Sequence, residues 1–89
     1  MKFRVREIQP TPNPNAAKFM LDRPIVDQPT SFLKAADAQD HPVASRLFDI
    51  PGVSSLLFLG DFITVNKSPD AKWPQITRRV EQALAGAPS

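Results

Sequence analysis

Two apolar runs, residues 56–59 and 62–65, are separated by the dipeptide Gly60-Asp61. This arrangement predicts a β-hairpin, because glycine accepts the positive φ that a tight primed turn requires. With Leu59 opposite Phe62, Phe58 falls opposite Ile63, Leu57 opposite Thr64 and Leu56 opposite Val65. Side chains alternate between the two faces of a strand. One face of the hairpin therefore carries Leu56, Phe58, Ile63 and Val65, and the other carries Leu57, Leu59, Phe62 and Thr64. Both are apolar. A chain of 89 residues has enough material to cover one face with helices, so the second face is the feature to account for.

The flanking segments supply the rest of a two-layer domain. Residues 2–8 alternate at first, with Phe3 and Val5 on one side and Lys2, Arg4 and Arg6 on the other, which reads as a strand. Ile8 breaks the parity, so the strand either carries a bulge or ends near Glu7. Pro10, Pro12 and Pro14 then forbid both helix and central strand, and Asn13 and Asn15 can fold their side chains back onto the backbone. A stiff, ordered loop is expected. Residues 17–22 alternate again and should pair with the first strand. Residues 23–39 are the least legible, with a short extended piece at Ser31-Phe32-Leu33. Pro42 suits the first position of a helix, Val43/Leu47 and Ala44/Phe48 stack along it, and Pro51-Gly52 stops it. After a turn at Ser68-Pro69-Asp70, with Asp70 as the expected N-cap, Trp73, Ile76, Val80, Ala83 and Leu84 form the stripe of a final helix ended by Gly86-Ala87-Pro88. The order is ββαββα. It implies a single α+β domain over residues 1–89, with a mainly antiparallel four-stranded sheet and two helices packed on one face.

Composition narrows the chemistry. The chain has no cysteine, which removes thiolate nucleophiles, thiolate metal sites and disulfides, and a single histidine, His41, which precedes a proline at the start of a helix. The three glycines at 52, 60 and 86 open no phosphate-binding loop. Asp37, Asp40 and Asp49 lack the spacing of a defined cation site and read as a solvated segment. The net charge is +2, with five Lys/Arg against two acids in residues 1–23 and two against four in residues 27–49. Arg4, Arg6, Lys18 and Phe62 make a weak case for nucleic acid, because the stacking aromatics of an RNA-binding sheet are missing. No apolar run reaches membrane-span length and residues 1–6 contain no signal-peptide core, so a cytoplasmic protein is expected. What remains is recognition of a partner, by the rigid Pro/Asn loop or by Leu57, Leu59 and Phe62, which either lie beneath residues 23–39 or form an exposed patch.

Several stretches then fall into one pattern: Thr11-Pro12-Asn13-Pro14-Asn15 with Lys18-Phe19, residues 42–53, Gly60-Asp61-Phe62-Ile63-Thr64-Val65-Asn66-Lys67, and Trp73. In this order they resemble the N-terminal domain of Nfu-type (NifU-related) iron–sulfur cluster scaffold proteins, over most of the chain. In that family a separate C-terminal domain with a Cys-x-x-Cys motif holds the cluster, and this chain contains no cysteine to replace it. His41 stands where the family more often has a small capping residue such as serine. The resemblance implies a non-enzymatic accessory domain of iron–sulfur cluster biogenesis that binds no cofactor itself. It would dock a cluster-carrying scaffold or a recipient apoprotein. The expected partner surface comprises Thr11, Asn13, Asn15, Leu57, Leu59, Asp61, Phe62, Thr64 and Lys67. The alternatives are weak carboxylate binding of iron in the same pathway and a small RNA-binding module.

Overall fold

The computed structural model describes residues 3–86, so Lys2 of the expected first strand and Ala87 and Pro88 of the helix stop lie outside the described residues. Five strands, β1 (Val5–Pro10), β2 (Ala16–Leu21), β3 (Thr30–Phe32), β4 (Val53–Leu59) and β5 (Phe62–Lys67), form one sheet in the order β1-β2-β5-β4-β3. All four pairings are antiparallel. Two helices, α1 (Pro42–Phe48) and α2 (Trp73–Ala85), and a short 3-10 turn at Ala35–Ala38 complete it.

The hairpin forms in the expected register, with Leu59 opposite Phe62 through Leu56 opposite Val65. Gly60 has φ +57 and no non-glycine residue among the described residues has a positive φ, so the turn is the primed kind with glycine at its first central position. In β1 the parity break at Ile8 is a bulge. The register shifts between Val5 and Glu7, after which Ile8 pairs with Phe19 and the strand runs on to Pro10.

The four-strand expectation is corrected to five. The added strand, β3, pairs Thr30 with Phe58 and Phe32 with Leu56 at the free edge of β4. Three residues after Pro29 are too few to show a period-two pattern, and only Phe32 is buried. The Asp70 cap is also corrected. The residue before α2 is Lys72, whose side chain makes no capping bond, and Asp70 lies in the preceding turn. Pro74 in the first turn, where its missing N–H goes unneeded, sets the helix start instead.

Both helices pack on the same side of the sheet. Val43, Ala44 and Leu47 of α1 and Ile76, Val80 and Leu84 of α2 share one buried cluster with Phe19, Leu21, Leu56, Phe58, Ile63 and Val65. Each fully buried side chain of this size contributes roughly 1.5–3 kcal/mol. Residues 23–39 follow the same side. Phe32 and Ala38 join the core, Ile25 and Val26 pack against it, and the Ile25 N–H donates to the Gly60 carbonyl at 2.8 Å. These apolar side chains are therefore drawn to the helical layer, while Ser31, opposite Leu57, stands on the other face.

At the start of α1 the backbone turns at His41, which is extended (φ −108). Its Nδ1 accepts the Ala44 N–H at 3.2 Å, so His41 takes the capping role. The ring lies edge-on to Phe58 at 5.1 Å and to Phe32 at 5.5 Å. Burial lowers the His41 pKa below the ordinary value of 6.5.

Candidate functional site

The nine residues expected at a partner surface separate into two groups on opposite sides of the sheet. The first is the loop between β1 and β2. The Thr11 hydroxyl accepts the Asn13 N–H at 3.2 Å and directs its proton toward the carbonyls of Asn13 at 2.9 Å and Ala16 at 3.0 Å. The Asn13 carboxamide oxygen accepts the Asn15 N–H at 2.9 Å, an Asx turn, and the Asn13 carbonyl accepts the Ala16 N–H at 3.0 Å. The loop is closed by its own short polar side chains.

Two residues from far along the chain fix it to the body of the domain. Lys67 shares its strand parity with Ile63 and Val65, so its side chain enters the helical side, where it is only 9% exposed. Its Nζ donates to the Asn15 side-chain oxygen at 3.0 Å and to the Ser68 carbonyl at 3.3 Å, and its backbone N–H donates to the Asn15 carbonyl at 2.8 Å. Trp73, the first residue of α2, donates its indole N–H to the Pro14 carbonyl at 2.8 Å. Its ring lies 5.7 Å from Lys67 Nζ and 6.4 Å from the Phe19 ring. Thr11, Asn13, Asn15 and Lys67 thus belong to one clasp, with Lys67 inside it. Sequence reasoning placed Trp73 in the core and missed its polar end, although a half-buried indole needs a partner for its N–H.

The second group is the open face of the sheet. Leu57, Leu59, Phe62 and Thr64 lie there, joined by Met20 and Lys18, which pair with Phe62 and Thr64 across β2. All six are half-buried, screened sideways by one another and covered by neither helix. Lys18 Nζ sits 5.1 Å from the centre of the Phe62 ring, a cation–π contact at the rim of the apolar row. Asp61 stands at the hairpin tip, where its backbone carbonyl accepts the Leu21 N–H at 2.7 Å. Sequence reasoning set Lys18 near Phe62 but did not assign Met20 to this face; both follow from the alternation of β2.

No three of the chain's His, Asp and Glu side chains come together as a cation site among the described residues. Asp22 has a pKa below the ordinary carboxylate value, chiefly because the Arg4 N–H donates to its carboxylate at 3.1 Å, with Arg23 adding to the effect. This is an exposed strand-edge contact, away from both groups. No helix of the described residues is long and apolar enough to cross a membrane.

Comparison with known proteins gives a consistent result. The family model described as "Scaffold protein Nfu/NifU N terminal" matches residues 5–87. A NifU-like protein of Schizosaccharomyces pombe is 40% identical over 74 residues, covering 79% of this chain and 28% of the relative. The human mitochondrial NFU1 iron–sulfur cluster scaffold homolog is 41% identical over 68 residues, covering 75% of this chain and 27% of the relative. The chain thus spans little more than a quarter of these relatives. The solution structure of a NifU-like protein from Saccharomyces cerevisiae superimposes with a TM-score of 0.79 at 26% identity, over 94% of this chain and 76% of that one.

Proposed function

The chain belongs to the Nfu/NifU N-terminal scaffold family, and from that premise we propose that it is a non-enzymatic docking domain of iron–sulfur cluster biogenesis. Its open sheet face binds a cluster-carrying scaffold or a recipient apoprotein. One observation carries this reading: Met20, Leu57, Leu59 and Phe62 form a contiguous apolar row on the sheet face that neither helix covers, while the other face of the same strands builds the core. A row of this kind on a soluble domain marks a contact site. The chain has no cysteine, and its chemistry is that of a surface, so the cluster in this reading is the partner's and never this chain's. Weak binding of iron and recognition of RNA draw no support from the arrangement of side chains. The expectation of a cytoplasmic setting gains none either, since the human relative is named mitochondrial.

The test is capture of cluster-assembly proteins, identified by mass spectrometry, by the wild-type chain and by Leu57→Arg and Phe62→Arg variants whose fold is verified by circular dichroism. The proposal expects such proteins with the wild type and their loss with either variant. Unchanged capture by the folded variants removes the open face from consideration.

A further inference from the structure

A second surface, on the helical side, has the opposite character. Three of the chain's six arginines, Arg46, Arg78 and Arg79, border a groove made of two adjoining concavities, one between α1 and α2 and one on the outer face of α2 alone. One stretch, of about 420 Å³, runs between the helices with Ile50 and Ala83 at its base and Arg46 and Arg79 beside them. The next is lined by Gln75, Arg78, Arg79 and Gln82 and shares Arg79 and Gln82 with the first. Positions 75, 78, 79 and 82 follow the i, i+3, i+4, i+7 spacing of one helix face, opposite the buried stripe of Ile76, Val80 and Leu84. Arg46 spans from α1 to the end of α2, where a Cβ on Gly86 would come within 3.4 Å of its Nη2.

None of the three guanidinium groups makes an ion pair, hydrogen bond or ring contact within the described residues. The helix's own acid, Glu81, is turned to a different concavity beside Arg4 and Asp22. Each guanidinium keeps a fork of donors that matches a carboxylate. We propose that this groove binds an acidic protein segment, one presenting carboxylates on either side of an apolar side chain that seats on Ile50 and Ala83. One feature favours a peptide over nucleic acid: the groove offers an apolar floor where nucleic-acid sites present stacking aromatics. The surface lies on the opposite layer from the open sheet face, so the two readings stand or fall separately.

The experiment is fluorescence anisotropy of the folded chain at two salt concentrations with three labelled probes: a blocked peptide with two glutamates on each side of a leucine, its lysine counterpart, and an oligothymidylate of equal charge. The glutamate peptide should bind in a salt-sensitive way. The Arg46→Gln/Arg79→Gln double variant should weaken it about tenfold, consistent with two- to fivefold per exposed pair, while Lys18→Gln leaves it unchanged. Several outcomes overturn the proposal: no binding of the glutamate peptide, tighter binding of the oligothymidylate, or equal weakening by Lys18→Gln. Self-association lost on Arg46→Gln does so too, because it would make a second copy the occupant.

Discussion

Asn15→Ala should cost the domain more than the loss of one exposed loop contact. The Asn15 side-chain oxygen is 3.0 Å from Lys67 Nζ, and the lysine is 9% exposed. Without it, Nζ retains the Ser68 carbonyl at 3.3 Å. A hydrogen bond from a charged group contributes about 1.5–3 kcal/mol, and leaving a buried donor unsatisfied costs a similar amount, so the expected destabilisation is about 2 kcal/mol. In a domain of this size that lowers Tm by roughly 8–16 °C. Lys67→Met removes the donor but keeps an unbranched chain beneath Trp73, and the half-buried Asn15 oxygen can turn to water, so this change should cost about 1 kcal/mol or less. The double variant should lie well below the sum of the two, with a coupling of about 1–2 kcal/mol. Urea denaturation followed by the emission of Trp73, the only tryptophan, measures all four corners of the cycle. Strictly additive single variants would refute the clasp as the element that fixes the loop.

Gly52→Ala should be among the most damaging single-methyl additions. Gly52 has φ +98, and a Cβ there would stand 2.7 Å from the Ala71 Cβ, so left-handed strain of about 1–2 kcal/mol adds to a clash with a short side chain; its urea midpoint should fall with the m-value unchanged. Trp73→Phe should keep the ring contact with Phe19 but lose the bond to the Pro14 carbonyl, costing about 1 kcal/mol and raising amide exchange in residues 11–15 more than in β5. His41 has a folded pKa below its ordinary 6.5, so it binds fewer protons folded than unfolded. Its contribution to stability is therefore complete above pH 6.5 and lost as pH falls through 6.5 toward the folded value. His41→Ser retains a capping oxygen and should flatten that part of a stability–pH curve.

Where a signal repeats along the chain, the sequence was legible. The hairpin register follows from the two-residue turn at Gly60-Asp61, and alternation along residues 17–22 divides the faces of β2, whereas its pairing with β5 was not legible. Pro42 and the Pro51-Gly52 stop delimit α1 through fixed backbone requirements. β3 was half seen, because three residues cannot repeat a pattern and its pairing depends on β4 offering a free edge. The stiffness of the loop was readable from Pro10, Pro12 and Pro14, but its anchors were not. Lys67 and Trp73 lie 52 and 59 residues from the groups they hold, and no local pattern spans that distance. One clue was available for Lys67. It shares parity with Ile63 and Val65, so the strand points it inward even though a lysine is ordinarily read as surface.

That parity separates what the family pattern says about folding from what it says about function. In the run Phe62-Ile63-Thr64-Val65-Asn66-Lys67, Ile63 and Val65 build the core and Lys67 holds the loop. Thr11, Asn13, Asn15 and Trp73 are likewise accounted for by the bonds that close and anchor residues 11–15. Each of these residues is required to make the domain, whatever the domain then binds. Phe62 and Thr64 are not needed for the core, nor are Leu57, Leu59 and Met20 beside them. An apolar side chain on a solvent face adds little to folding and raises the risk of association. In the proposed reading, the open face is explained by a contact outside the chain. Variants of the clasp should abolish capture only as far as they unfold the domain, whereas Leu57→Arg and Phe62→Arg should abolish it in a folded one. Capture plotted against stability for both sets of variants distinguishes the two roles: the clasp variants should fall on one curve and the open-face variants well below it.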